Sequence, residues 1–366
     1  MFLVFTVILV ALIFTYTNGF HDTANAIATV VGTRVLTPRQ AIILAAITNL
    51  LGAMWGAAVA NTIIKGIVDA QFIAPDFASQ MLICALVAAI CWNLLTWYFG
   101  LPSSSSHALI GGLIGAGLAA SHGNWHAILW SLPPAAGQHW WTGGGVLYKV
   151  VIPMILSPVV GFIFAFVLMT GLYLALHRAR TAGVTSVFGR LQLLSSAYMG
   201  FAHGSNDAQK TMGIIALALV AATKAGTFDT LPHWLDFLRT AGPAPGAKLS
   251  IALWIKVLCA LTMALGTASG GWRIIKTLGH KLVKLQPIHG FAAETAGASV
   301  LLGTAAMGMP VSTTHVITAS IMGVGAAKRW AAVRWAVVES ILWAWVFTLP
   351  VTAALAYGVV KLVQFL

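Results

Sequence analysis

The sequence has 366 residues, of which 59% are hydrophobic and only 8% are charged, and its formal net charge is +12 at pH 7. A soluble protein of this length exposes far more charge, so the composition excludes a soluble globular class and indicates an all-α polytopic membrane protein. The basic residues are spread over short loops between apolar runs rather than gathered on one face. This spacing argues against nucleic acid as a partner and is typical of residues that set membrane orientation.

Apolar runs dominate the chain, and most of them are long enough to cross a bilayer, which takes about 20 residues. Two runs, 107–121 and 315–327, fall short of that length. The predicted runs are 2–31, 38–62, 80–99, 107–121, 146–177, 186–222, 249–269, 290–308, 315–327 and 331–362.

Each short run follows a longer one across a tight polar link, LPSSSSH or MPVSTTH. Pro102 and Pro310 interrupt the helical pattern in these links. We therefore predict two re-entrant helical hairpins, whose tips at 102–107 and 310–315 lie inside the protein.

The links also reveal an internal duplication. The segment PSSSSH at 102–107 aligns with PVSTTH at 310–315, and NGFHDTAN at 18–25 aligns with HGSNDAQK at 203–210. Two motifs in the same order indicate a repeat. We predict a first repeat over 1–177 and a second over 178–366.

An odd number of crossings between the copies predicts that the second repeat is inverted, as in secondary transporters. The side that carries Arg34, Arg178, Arg273 and Lys328 has the larger share of basic residues, which predicts that it is cytoplasmic and that both termini lie outside. The long extramembrane loop 223–249 is predicted to contain a short interfacial helix.

The hairpin tips offer an anion site. A helix that begins after a proline presents free backbone N–H groups, and neighbouring hydroxyls add further donors. Serine and threonine also cap helices, which is the structural alternative for a single tip. The duplication favours a site that cradles a tetrahedral oxyanion, built by Ser104, Ser105, Ser106, Ser312, Thr313 and Thr314.

Asp22 and Asp207 are duplicated acids within apolar runs. A carboxylate repels an anion, so these acids are expected to bind a coupling cation or a proton. Asn25 and Asn206 beside them supply amide groups for phosphate oxygens or for a hard cation. The structural alternative is a hydrogen bond between helices.

Three further residues are candidates for coupling. Glu294 has no counterpart in the first half, where Leu86 stands, and it could carry a proton or pair with Lys210. Lys210 occupies the position equivalent to Asn25 and could pair with Asp207 or Glu294, or attract the substrate. His21, together with His107, His203 and His315, could carry protons because histidine titrates near neutral pH.

At these residues the sequence resembles the inorganic phosphate transporter (PiT) family. The resemblance is carried by NGFHDTANAIATVVGTRVL, PSSSSHALIGG, HGSNDAQKTMGI and GFAAETAGASVLLG followed by MPVSTTH, and it spans nearly the whole chain. The motifs HDTAN and HGSNDAQK are most similar to those of the bacterial low-affinity, proton-coupled Pit permeases.

The resemblance implies a homodimeric inverted-repeat transporter in the bacterial inner membrane that carries orthophosphate by cation symport. It implies no cofactor and no resident metal, although a divalent cation could travel as a metal–phosphate complex. Gln209-Lys210, where sodium-coupled members continue the pattern to a second asparagine, and His21 before Asp22 favour protons over sodium.

Three alternatives remain open from the residues alone: a sodium-coupled phosphate symporter, a sulfate permease, and an intramembrane serine hydrolase. The hydrolase would use Ser104 or Ser105 as nucleophile and His107 as base, since residues three apart share a helix face. Because the pattern occurs twice, with threonines in the second copy, no catalytic residues are expected.

Overall fold

The structure, a computed structural model, describes residues 1–75, 77–229, 232–242 and 250–365. Within these ranges the chain is helical, with isolated β-bridges at Val68–Ile128 and Leu132–Gly144 as its extended pairings. The all-α prediction is therefore confirmed. The helices are α1 Phe2–Gly32, α2 Pro38–Ala53, α3 Ala58–Lys65, α4 Ala78–Phe99, α5 Ser105–Ala120, α6 Ile152–Ala175, α7 Thr181–Lys224, α8 Leu253–Ser269, α9 Trp272–Lys276, α10 Pro287–Ala306, α11 Thr313–Lys328 and α12 Trp335–Phe365.

Four helical segments in the described ranges are long and apolar enough to cross a membrane: Phe2–Gly32, Ala78–Phe99, Leu147–Ala175 and Trp335–Phe365. A fifth forms if Leu253–Ser269 and Trp272–Gly279, which meet at a bend of 59°, count as one span. Many large apolar side chains on these helices are exposed, as lipid contact requires.

The predicted run 38–62 is not one helix. It breaks between α2 and α3, where Gly56 has a left-handed φ of +78°. The side chain of Gln209 accounts for the break, because its oxygen accepts from the Val59 amide at 2.9 Å and its nitrogen donates to the Trp55 carbonyl at 3.1 Å. A distant side chain thus replaces the helical hydrogen bonds that the break gives up.

Two helical hairpins occur where the sequence predicts them. The first hairpin consists of α4, α5 and residues 100–104, and the second consists of α10, α11 and residues 307–312. Both first arms end in a left-handed glycine, Gly100 (φ +67°) and Gly308 (φ +65°). Glycine adopts this conformation at no steric cost, so the chain reverses there and the second arm folds back. The re-entrant placement of the hairpins in a membrane stays a prediction.

The two halves exchange their packing partners. The first-half hairpin arm α5 packs on α12, and the second-half arm α11 packs on α6; likewise α2 packs on α7 and α8 packs on α1. The motif glycines permit two of these contacts to be close, since a Cβ on Gly19 would lie 2.5 Å from the Met263 carbonyl oxygen and one on Gly204 would lie 2.1 Å from that of Asn49. This reciprocity is what an inverted repeat over 1–177 and 178–366 would produce, although inversion itself stays a prediction.

The apolar core forms two clusters, and α1 and α7 run through both. On α1, Val4 to Phe14 belong to one cluster and Ala24 to Val30 to the other. The polar residues between them, including Asp22, are buried at the level where the clusters meet.

Loop 223–249 is described only in part, and its described part contains a short helical turn. A short 3₁₀ turn, His233–Leu238, lies in the predicted interfacial segment, while residues 230–231 and 243–249 of loop 223–249 lie outside the described residues. Cys84 and Cys259 are buried free thiols, whereas Cys91 is exposed because it lies on the outer face of α4.

Candidate functional site

The hairpin tips begin α5 and α11 in the same way. The Ser104 hydroxyl accepts the backbone N–H of His107 at 3.1 Å, and the Ser312 hydroxyl accepts that of His315 at 3.2 Å. These two serines are therefore helix N-caps, the role that the structural alternative assigned to them. The capping role leaves the later hydroxyls of each tip to other partners.

Those later hydroxyls face the two duplicated motifs. Ser106 contacts the Lys210 ammonium and donates to the Val311 carbonyl at 3.1 Å, so the two hairpin tips touch each other. The Asn25 amide nitrogen donates to the Thr313 hydroxyl at 3.1 Å and to the Thr314 hydroxyl at 2.9 Å.

The first motif, residues 18–25, presents Asp22 to this cluster. One carboxylate oxygen of Asp22 lies 2.7 Å from Nδ1 of His21 and 3.4 Å from the Thr314 hydroxyl. The other ring nitrogen of His21, Nε2, lies 3.1 Å from the hydroxyl of Thr96 and 3.4 Å from that of Ser103. His21 therefore connects Asp22 to the tip of the first hairpin.

The second motif, residues 203–210, presents Asp207. Its carboxylate contacts the Lys210 ammonium, lies 3.2 Å from Nε2 of His203, and accepts from the Thr313 hydroxyl at 3.3 Å. Nδ1 of His203 is held at 3.0 Å by the Asn49 side-chain oxygen. Asp207 and Lys210 are both fully buried, so this ion pair is shielded from solvent.

Each acidic motif contacts the hairpin of the other half. Asn25 of the first half contacts the second hairpin, and Lys210 of the second half contacts the first hairpin. Because α1 and α7 pack on each other, both contacts belong to one cluster at the middle of the molecule. The predicted site residues are thus brought together by exchange between the halves.

Several buried polar atoms in this cluster have no hydrogen-bond partner in the described chain: the Ser105 hydroxyl, the Asn25 side-chain oxygen, and both amide atoms of Asn206. Buried polar groups are normally hydrogen-bonded, so the Ser105 hydroxyl and the Asn206 amide nitrogen are available to donate to a bound anion. The side-chain oxygens of Asn25 and Asn206 are acceptors, available to a water, a cation or the hydroxyl of a protonated anion. Ser105 and Asn206 therefore fit the predicted anion site better than Ser104 and Ser312 do.

A cation could be held beside the anion position. One ligand atom each of Asp22, His203 and Asp207 lies within 4.8 Å of the other two, and all three side chains are buried. Carboxylate oxygens and imidazole nitrogen suit a small cation or a shared proton. The sequence predicts the two acids for this role and His203 as a possible carrier of protons.

Glu294 lies outside the cluster. Its carboxylate accepts from the hydroxyls of Thr29 and Ser195 and from the Gln192 amide at 3.3 Å, and it is fully buried. The predicted alternative of a pairing with Lys210 is wrong, because Lys210 is engaged by Asp207 and Ser106. The hydrogen-bond donors that surround the Glu294 carboxylate are instead all neutral groups.

The predicted Ser–His dyad of a hydrolase is not formed. Both ring nitrogens of His107 lack a hydrogen-bond partner in the described chain, and the Ser104 hydroxyl accepts a backbone amide. The His107 ring lies edge-on to His315, with centroids 4.8 Å apart, and His315 stacks on Trp345 at 3.9 Å. Trp345 in turn donates to the Pro102 carbonyl at 3.1 Å, so this aromatic group fastens the two tips to α12.

Five residues that hydrogen-bond to the predicted site residues were not predicted from the sequence: Thr29, Asn49, Thr96, Gln192 and Ser195. A signal existed for some of them. On α1 the polar positions 18, 22, 25 and 29 recur at helical spacing and so share one face, and on α7 the positions 192, 195, 203, 207 and 210 do so approximately. Asn49 and Thr96 are isolated polar residues and give no such signal.

Membrane-length helices and two halves that pack on each other around a buried polar cluster define a multi-pass membrane protein, and the cluster is its candidate ligand site. The chain belongs to the Phosphate transporter family, whose model matches residues 18–186 and 173–356. Membership gives the protein a transport function rather than a catalytic one.

Similar proteins agree with this assignment. A Bacillus subtilis protein named "Probable low-affinity inorganic phosphate transporter" is 41% identical over 99% of this chain and 98% of its own length. A Rhizobium meliloti protein of the same name is 42% identical over 97% of this chain and 96% of its own. A solved structure titled "The sodium-dependent phosphate transporter" has a TM-score of 0.81 and 24% identity, covers both chains fully, and shares the fold.

Proposed function

We propose that this protein imports inorganic phosphate across the bacterial cytoplasmic membrane by cation symport, and that the cation is a proton. The observation that supports the proposal is that two helix starts with hydroxyl side chains meet the two acidic motifs in one buried cluster. Groups that can donate hydrogen bonds to an anion therefore lie beside carboxylates that can bind a cation. A site of this kind can bind an anion and its compensating cation together.

Phosphate would be held by the hydroxyls of Ser105, Ser106, Thr313 and Thr314 and by the amide groups of Asn25 and Asn206. The free N–H groups at the start of α5 and α11 add a favourable field for a negative charge. The Lys210 ammonium lies beside Ser106 and contributes a full positive charge at the same position. Ser104 and Ser312 support the site by capping the two helices.

Compensating charge is required because phosphate is a mixture of monovalent and divalent anions at neutral pH, and carrying either one bare across a core of about 30 Å is prohibitive. Each charge moved with it is worth about 2.3 kcal/mol per 100 mV of membrane potential. Asp22 lies 2.7 Å from Nδ1 of His21, whose Nε2 lies 3.1 Å from the Thr96 hydroxyl, and a carboxyl–imidazole pair of this kind holds a transferable proton. These contacts favour proton coupling, with Glu294 as a further proton acceptor.

Sodium coupling is the second candidate. The three ligand atoms of Asp22, His203 and Asp207 within 4.8 Å would suit a sodium ion as well as a proton. The similar solved structure is titled as sodium-dependent, a property printed for that protein. A histidine among the ligands and a lysine on Asp207 favour the proton for this chain.

Sulfate is the competing anion. Phosphate keeps a proton near neutral pH and can donate it to a carboxylate, whereas sulfate has none and would only be repelled by Asp22. The carboxylate in the cluster therefore favours phosphate. A metal–phosphate complex remains a compatible cargo, since the metal would lower the net charge of the anion in the same way as a proton.

We also propose that both termini lie outside, that the halves are inverted, and that the protein is a homodimer. Arg34 and Arg273 would then face the cytoplasm. Single cysteines placed at Arg34 and at Trp234 should react with membrane-impermeant reagents from opposite sides. Labelling of both from the same side would contradict the inverted topology.

The proposed transport is tested by uptake of labelled phosphate into proteoliposomes of the purified protein under imposed proton or sodium gradients. We expect accumulation that follows the proton gradient, that sulfate in excess does not inhibit, and that empty liposomes lack. Uptake that follows sodium and ignores pH would overturn the proton assignment. Failure to move phosphate under either gradient would overturn the transport proposal.

A further inference from the structure

Asn25 and Lys210 occupy equivalent positions in the duplicated motifs, three residues after Asp22 and Asp207. Each reaches a hydroxyl of the opposite half's hairpin: Asn25 contacts Thr314, and Lys210 contacts Ser106. Their geometry is alike, but one side chain is neutral and the other carries a full charge. The site is therefore symmetric in shape and asymmetric in charge.

We propose that the Lys210 ammonium is a built-in cation that occupies, in the second half, the position that a coupling cation takes in the first. Phosphate is then coupled to a cation bound at Asp22, while Asp207 is permanently neutralised by the chain itself. This inference rests on the proposed cation symport and specifies which half of the site binds the cation.

The surroundings of the two acids carry the argument. Asp207 contacts the Lys210 ammonium directly, within a fully buried pair. Asp22 contacts His21 and the Thr314 hydroxyl, and no lysine or arginine side chain pairs with it in the described chain. A buried carboxylate without a counter-charge is costly, so Asp22 needs a cation from solution and Asp207 does not.

The contacts of Lys210 explain why it can replace a bound ion. Its ammonium bridges an acid of α7 and a hydroxyl of the first hairpin, as a small coordinated cation would. Unlike such a cation, it is tethered and cannot be released. Its charge therefore contributes to anion binding in every step of the cycle but is never delivered across the membrane.

The tethered charge should lower the number of cations that accompany each phosphate by one relative to a site with asparagine in both halves. Lys210→Asn copies the first-half residue into the second half and opens a second cation position. Asn25→Lys makes the reciprocal change and fills the first position. The two substitutions shift the coupled charge in opposite directions, which loss of folding or of affinity cannot do.

The measurement is the membrane potential at which net phosphate flux reverses in proteoliposomes at a fixed phosphate gradient, which gives the charge moved per phosphate. We expect Lys210→Asn to raise this charge by about one elementary unit and Asn25→Lys to lower it by about one, as read from the shift in reversal potential. Lys210→Arg keeps the tethered charge, so the charge moved per phosphate should equal that of the wild type, whatever its rate of uptake. Lys361→Asn, near the end of α12, controls for the loss of a lysine elsewhere.

Three outcomes are decisive. An unchanged charge per phosphate in both Lys210→Asn and Asn25→Lys overturns the inference while leaving phosphate transport intact. If Lys210→Asn cannot even exchange labelled for unlabelled phosphate, Asn25→Lys decides alone, and an unchanged value there overturns the inference. If the wild type itself moves no phosphate, it is the proposed function that fails.

Discussion

The amide nitrogen of Asn25 donates a 2.9 Å hydrogen bond to the hydroxyl of Thr314, although the two residues are 289 positions apart in the sequence. The motif of one half thereby orients the hairpin tip of the other. Neither half would contain a complete site by itself, because each supplies the acidic motif for one side and the hydroxyls for the other.

This contact should be visible as energetic coupling. Asn25→Ala and Thr314→Val each remove one partner of this hydrogen bond. Each is expected to raise the KM for phosphate about tenfold or more, because a hydrogen bond to a charged ligand is worth about 1.5–3 kcal/mol. The double variant should lose little more than either single variant, because the two act together. Additive losses would show that the two side chains act independently. Thr262→Val on α8 is the control, because the Thr262 hydroxyl donates to the Leu258 carbonyl of its own helix.

The serines of the first tip should separate into two roles. Ser104→Ala removes a helix cap and should lower the free energy of unfolding by about 1 kcal/mol. Ser105→Ala removes an unpartnered buried hydroxyl and should leave stability nearly unchanged while weakening phosphate binding. Thermal unfolding in detergent, with and without phosphate, measures both effects. Equal stability losses with no change in phosphate protection would contradict the division.

Glu294 should matter for coupling more than for binding. Glu294→Gln preserves the side chain's shape but cannot take up a proton, so net accumulation should fall by up to about 50-fold at 100 mV, the equivalent of ~2.3 kcal/mol for one coupled charge. Exchange of labelled for unlabelled phosphate, which needs no net proton movement, should persist. Ser195→Ala, which removes one donor to the same carboxylate, is the matched control and should reduce accumulation only slightly. Parallel loss of exchange and accumulation in Glu294→Gln would assign Glu294 a structural role.

The first hairpin depends on a close approach of α5 to α12. A Cβ at Gly115 would lie 1.9 Å from the Ala353 carbonyl oxygen, so Gly115→Ala should lower the free energy of unfolding by about 1–3 kcal/mol through overpacking. Gly171 on α6 has no atom within 4 Å of the equivalent point. Gly171→Ala should therefore leave stability unchanged or raise it by up to about 1 kcal/mol. Equal unfolding temperatures for the two variants would contradict the packing of α5 on α12.

Much of this arrangement is predictable from the sequence, for identifiable reasons. Proline followed by hydroxyls and histidine, twice in matching order, predicts both hairpins, because proline ends one helix and the hydroxyls begin the next. Asp22 and Asp207 stand out because acids are rare in apolar helices. These signals are local, and the residues they mark lie together in the structure.

The exchange between halves is not local and was not predicted. Helical periodicity says which face of α1 is polar but not which hairpin that face meets, so the partnership of Asn25 with the second tip could not be read from the chain. The break between α2 and α3 has the same origin, since Gln209 on α7 supplies its hydrogen bonds. The choice between Asp207 and Glu294 as the partner of Lys210 stayed open in the sequence, because the position of α10 beside α7 is not a local property, and in the structure Lys210 pairs with Asp207.

The most direct test is gradient-driven phosphate uptake by Asp22→Asn and Asp207→Asn in proteoliposomes, with Asp236→Asn in the turn His233–Leu238 as the control. We predict that both motif variants lose concentrative uptake while the control behaves as the wild type. Asp22→Asn removes the carboxylate that binds the cation, and Asp207→Asn leaves the buried Lys210 charge without its counter-charge. Normal accumulation by both motif variants would contradict the proposed site.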